Sequence, residues 1–190
     1  MVRLALIVAL ALLPALASPA RADVDVTFWS HRSDQNFPHA FLVLDGILDA
    51  TGEVIDTSIG FTPRNAPPTI LVTKVHGKME ALDAEYMTRP TTRPSFTVRL
   101  QDAEFIRLVL AIDRWRAMTQ PNYDLRRHNC VHFVMDAALA MGLRVNRRSP
   151  FFSAPRLFLK ELMRLNDLAA RPDGCAPARR AGVEGSTASR

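Results

Sequence analysis

Hydrophobic and β-branched residues dominate two segments in the first third of the chain, HAFLVLDG at residues 39–46 and GEVIDTSIGF at residues 52–61. Turn-forming Asp, Gly and Thr residues separate the two segments, so the pair predicts a β-hairpin. The first segment is apolar at both odd and even positions, which is typical of a strand that is buried on both faces.

Three more strands are predicted further along the chain, at residues 69–75, 78–86 and 95–100. The proline-rich stretches TPRNAPP and RPTTRP lie next to them and mark loops.

A helical period replaces this pattern between residues 102 and 118, where apolar side chains recur every three or four positions, at Phe105, Leu108, Val109, Ile112 and Trp115. Asp102 is the expected cap of this helix. A second helix is predicted at residues 130–141, capped by Asn129 and ended by the following glycine, and a third at residues 155–168. Because strands come first and helices afterwards, the predicted fold class is α+β.

The amino terminus has the pattern of an export signal. Arg3 precedes a short apolar run, and small residues follow up to Ala22. We therefore expect residues 1–22 to be a cleavable signal peptide and the mature protein to be periplasmic or secreted. Pro14 interrupts the apolar run, which is shorter than the roughly 20 residues of a membrane span. An uncleaved anchor is the alternative.

Residues 23–170 have the length of one domain, whereas residues 171–190 are rich in Pro, Gly, Ala and Arg and predict a disordered tail. The chain has 24 basic and 19 acidic side chains. Two of the arginines precede residue 23, and the tail holds four more together with Asp173 and Glu184. The domain itself therefore has 18 basic and 17 acidic side chains. This near-neutral domain has no basic stripe with interleaved aromatics, so a nucleic-acid partner is not expected.

Cys130 and Cys175 are the two cysteines of the chain. A disulfide between them is one possibility in an oxidising compartment, but Cys175 falls in the predicted tail. No CxxC motif and no paired His/Cys spacing indicates zinc, and no cofactor is expected.

Cys130 occupies the first turn of the second helix, where unpaired N–H groups and the helix dipole favour a thiolate. The alternative is a small buried apolar residue. His132 lies roughly 200° around the helix from Cys130, so it is a poor base for this thiol. His39 opens the most apolar strand, where a histidine is either a satisfied core residue or a positioned base.

NCVHFV followed by ALAMG, with HAFLVLDG far upstream, resembles the circularly permuted branch of the papain-like, NlpC-type thiol proteins, which includes lecithin–retinol acyltransferase-like proteins and exported bacterial families. The resemblance implies an antiparallel sheet packed against a helix that starts at the nucleophile. It implies Cys130 as the nucleophile and His39 as the general base. In this family a polar residue on the next strand orients the histidine. Asp56 and Ser58 are the candidates, and a symmetric hairpin would place Ser58 opposite His39.

The resemblance implies an exported thiol hydrolase or acyltransferase that acts on an amide or ester. The backbone N–H of Cys130 is the expected oxyanion donor. Cell-wall stem peptides are the first substrate expected, and a lipid acyl group is the rival. The alternative from another class is a catalytically silent envelope binding or structural domain that keeps the fold.

Overall fold

The computed structural model describes residues 24–32, 37–65 and 67–169. Five strands form one antiparallel sheet in the order β4-β3-β2-β1-β5. The strands are β1 (Val24–His31), β2 (His39–Ile47), β3 (Val54–Pro63), β4 (Gly77–Glu80) and β5 (Thr92–Leu100). The helices are α1 (Ala84–Thr88), α2 (Asp102–Arg116), α3 (Cys130–Ala140) and α4 (Pro155–Leu165), with a 3₁₀ turn at Pro68–Leu71. The α+β class is confirmed.

Each face of the sheet carries its own apolar cluster. The larger cluster lies between the sheet and the three long helices, and Ala40, Leu42 and Leu44 of β2 belong to it together with Cys130. The alternate positions of β2 point to the other face, as strand geometry requires. There a smaller cluster forms around Trp29, Phe41 and Val43, covered by Leu82, Tyr86 and Met87.

Two predicted strands require correction, and one strand was not predicted. The segment VDVTFWSH forms β1, which pairs with β2 and β5, and no strand was predicted there. Residues 69–75 are not a strand, because Pro68–Leu71 is a 3₁₀ turn. Only the start of the segment 78–86 is extended, since the chain turns at Asp83, whose carboxylate accepts from the Tyr86 N–H and caps α1.

The predicted hairpin is confirmed, but its register differs from the symmetric arrangement. Ser58 pairs with Val43 and Asp56 pairs with Asp45, so the expectation that Ser58 faces His39 is wrong. β2 ends at Ile47 and β3 begins at Val54, and the Leu48 N–H closes the connecting segment by donating to the Glu53 carbonyl.

The first residue of α2 secures this loop. Asp102 was the expected helix cap, but its carboxylate accepts hydrogen bonds from the Asp49 and Ala50 N–H groups of the hairpin. Gln101 takes the cap position, and its N–H donates to the Glu104 side chain.

Two predictions lie outside the described residues: the export signal at residues 1–22, and the tail that contains Cys175. Within the described ranges, no helix has the length and apolar character needed to cross a membrane.

Candidate functional site

Asn129 determines where α3 begins. Its side-chain oxygen accepts from the N–H groups of Val131 and His132, and its amide donates to the carbonyls of Leu125 and Phe152. Two of the donors that a helix start leaves without partners are thereby satisfied. The predicted cap is confirmed, and it fixes Cys130 as the first helical residue.

Cys130 is a free thiol and only 3% exposed. Burial raises its pKa to about 11, although the backbone N–H groups of Ala40, Val131 and Cys130 itself act in the opposite direction. The expected lowering of the thiol pKa at the helix start is therefore wrong for this conformation. Desolvation of a charged sulfur outweighs the three N–H groups, so the thiol stays protonated at neutral pH.

Tyr123 is a neighbour of Cys130 that the sequence did not indicate. The backbone N–H of Cys130 faces the buried phenol oxygen, while burial, and then the charge that Cys130 would carry, raise the Tyr123 pKa. The N–H expected to stabilise an oxyanion therefore has a neutral hydroxyl close by in this state.

His39 is buried at the start of β2. Its ring stacks beside Phe41 at 5.7 Å between centroids and meets Tyr86 edge-on at 6.4 Å. A Cβ built on Gly60 would stand 2.7 Å from Nε2, so the imidazole lies directly over this glycine. Among the described residues, Nε2 has no hydrogen-bond partner. Burial lowers the pKa of His39 to about 4, opposed by the charge of Glu80.

Cys130 lies next to the peptide unit that joins His39 to Ala40 in β2. The sulfur faces the N–H of Ala40, the residue that follows His39. However, the His39 ring lies on the side of Phe41, whereas Cys130 packs with Ala40 on the helical side. The two side chains therefore lie on opposite faces of the sheet, and no hydrogen bond joins them in this conformation.

Asp56 and Ser58 do not reach His39. Asp56 is exposed near the hairpin loop. The Ser58 hydroxyl donates to the Leu82 carbonyl at 3.1 Å and accepts from the Leu82 N–H at 2.7 Å. Ser58 therefore holds the segment that leads into α1, and neither residue orients the imidazole.

Glu80 is the carboxylate that acts on His39, and sequence reasoning missed it. It pairs with Gly60 across β3 and β4, which puts its side chain on the same face as the His39 ring. The Thr62 hydroxyl donates to Glu80, and Lys78 forms an ion pair with it. Only the long-range pairing of β4 with β3 puts Glu80 on this face of the sheet.

His132 stacks on Phe152 at 4.4 Å and its Nδ1 lies 3.0 Å from the Asn129 side-chain oxygen. Burial lowers its pKa to about 4. His132 thus packs and hydrogen-bonds at the start of α3, which is consistent with the expectation that it is a poor base for Cys130.

Comparison of the chain with known protein families, curated proteins and solved structures yields no match.

Proposed function

We propose that this chain is a permuted papain-like thiol hydrolase or acyltransferase, with Cys130 as the nucleophile and His39 as the general base. One observation carries the proposal. The Cys130 sulfur faces the Ala40 N–H, and the residue just before Ala40 presents a buried imidazole whose Nε2 is unpartnered among the described residues. Buried polar atoms without partners are rare, and a catalytic role is one of their recognised explanations.

The chemistry is acyl transfer through a thioester. Sγ forms a bond to the carbonyl carbon of an amide or ester while its proton passes to His39. Collapse of the tetrahedral intermediate breaks the bond to the leaving amine or alcohol, which takes the proton from the imidazolium. Water, or an acceptor with an N–H or O–H group, then attacks the thioester and releases the acyl product and the free thiol.

The thiol and imidazole are both neutral in the described conformation, because the pKa of Cys130 is about 11 and that of His39 about 4. His39 therefore acts as a base at the moment of attack rather than as one half of a preformed ion pair. Attack also requires a rearrangement at the start of β2 that brings the imidazole to the helical side, and it requires the substrate to reach a thiol that is 3% exposed.

Export to the periplasm or beyond, expected from residues 1–22, makes cell-wall stem-peptide amides the first substrate class. A lipid acyl group is the rival within the same chemistry. Both substrate proposals rest on compartment and family analogy alone.

A catalytically silent envelope domain is the second candidate. It is favoured by the same burial of Cys130, whose neighbours in the large cluster are apolar. In this case Cys130 fills the core at the start of α3, and the protein works by binding or by a structural role.

The test compares two single-cysteine variants for hydrolysis of a chromogenic ester and for release of stem peptide from purified peptidoglycan. The proposal expects Cys130→Ser to abolish both activities and the matched control, Cys175→Ser, to keep them. A wild-type protein without either activity, or activity that survives in Cys130→Ser, would favour the silent domain.

A further inference from the structure

Residue 60 is a glycine, so it has no side chain at the position from which a neighbouring group could orient His39. Gly60 pairs with Phe41, and a side chain at this position would meet the imidazole at Nε2. With glycine present, the ring covers the backbone of β3 at this position. Position 60 therefore supplies no side-chain partner for Nε2.

Glu80 is the cross-strand partner of Gly60 on the following strand, β4. Phe41, Gly60 and Glu80 are successive cross-strand partners on β2, β3 and β4, so all three positions point to one face of the sheet. Because Gly60 has no side chain, nothing of position 60 stands between the Glu80 carboxylate and the His39 ring.

Two contacts hold the Glu80 carboxylate on this face of the sheet. One oxygen accepts from the Thr62 hydroxyl on β3, and the other is paired with Lys78 two residues earlier on β4. A carboxylate held at two points loses less side-chain freedom when it makes a third contact.

We propose that Glu80 is the positioning residue for His39, reached across the bare backbone of Gly60. This inference rests on the proposed function, since it assigns the residue that orients the base of that reaction. A carboxylate accepts but cannot donate, so contact with Glu80 fixes the proton on Nε2. The lone pair is then on Nδ1, which is left as the proton acceptor of the ring, and the negative charge stabilises the imidazolium that forms when it accepts a proton.

The other ionisable groups around His39 do not supply this contact. His31 lies opposite His39 on β1 and bonds Thr92 at 2.8 Å, and its charge lowers the pKa of His39. Tyr86 lies against the imidazole from α1, and the Cys130 sulfur faces the Ala40 N–H on the helical side of β2. Glu80 is the group that raises the pKa of His39.

The experiment measures the ¹⁵N resonances of His39 at neutral pH and the rate at which a chromogenic ester acylates Cys130. The variants are Glu80→Gln, which removes the charge, and Glu80→Asp, which keeps it on a shorter stem. Asp56→Asn is the matched control, since it removes a carboxylate from β3 that is remote from His39.

The proposal expects a protonated Nε2 in the wild type, a displaced Nε2 resonance in Glu80→Gln and partial return in Glu80→Asp. The acylation rate should fall at least about tenfold in Glu80→Gln, less than the roughly 10²–10⁴-fold that a general base supplies. A His39 spectrum that responds to Glu80→Gln no more than to Asp56→Asn overturns the proposal. Absence of acylation in the wild type would instead count against the thiol function, and the spectrum would still decide whether Glu80 orients His39.

Discussion

The imidazole of His39 fills the space that a side chain at position 60 would need, since a Cβ on Gly60 would stand 2.7 Å from Nε2 and 3.2 Å from the Phe41 Cβ. The ring has little room to retreat, because Phe41 and Tyr86 contact it. Gly60→Ala should therefore lower the free energy of unfolding by about 1–3 kcal/mol, as overpacking of a core does.

A double-mutant cycle in urea separates this clash from a general cost of alanine at position 60. In a His39→Ala background, only the milder contact with Phe41 remains, so Gly60→Ala should cost much less. Equal costs in both backgrounds would show that the ring does not occupy this space.

Acid should destabilise the protein through His39. Its folded-state pKa of about 4 lies below its ordinary value of 6.5, so the unfolded chain binds this proton more readily. The stabilisation is complete above pH 6.5 and is lost as the pH falls toward 4, by at most about 3 kcal/mol. His39→Gln should flatten this part of the pH profile measured by urea unfolding. The exposed His76 provides the control substitution, and equal profiles for wild type and His39→Gln would refute the prediction.

Alkylation of Cys130 should be slow at neutral pH. In a Cys175→Ser background Cys130 is the single thiol, and its thiolate fraction rises tenfold per pH unit up to its pKa of about 11. The iodoacetamide rate should climb through the alkaline range, whereas the same protein in urea should level off near the ordinary cysteine pKa of about 8.5. A plateau below pH 7 in the folded protein would mean that the thiol is activated after all.

Asn129 should be among the more costly polar side chains to remove. Asn129→Ala deletes the cap of α3, worth about 1–2 kcal/mol, and leaves the half-buried carbonyls of Leu125 and Phe152 without their donor. We expect a loss of about 2–4 kcal/mol in urea unfolding. Asn129→Asp keeps the acceptor and should fall between wild type and alanine. A change of less than about 0.5 kcal/mol in Asn129→Ala would contradict the role of the cap.

The helical half of the fold could be predicted because its signals are local. Asn129 and Cys130 are adjacent in sequence, and the cap determines the helix start through hydrogen bonds that span three residues. The sheet was harder to predict. β1 was missed, and the pairing of β2 with β3 depends on loop closure and on Asp102, which is distant in sequence. A strand pattern fixes which faces are buried, but not the register.

The candidate site could likewise be predicted where its signals are local, but not where it depends on long-range packing. The position of Cys130 at the start of α3 was predicted, but its pKa was not, because the degree of burial depends on packing against Ala40 and the sheet. Asp56 and Ser58 were chosen on an assumed register. Glu80 had no sequence signal, since its place on the same face as His39 depends on the pairing of β4 with Gly60.

Trapping the acyl-enzyme tests the Cys130–His39 pair most directly. Cys175→Ser protein is mixed with p-nitrophenyl acetate, quenched in acid and analysed by intact mass and peptide mapping. We predict one acetyl group on Cys130, removed by hydroxylamine as a thioester should be, and formed about 10²-fold more slowly or worse when His39 is replaced by alanine. Failure of Cys130 to acquire an acetyl group, or acetylation at an unchanged rate in His39→Ala, would contradict the account.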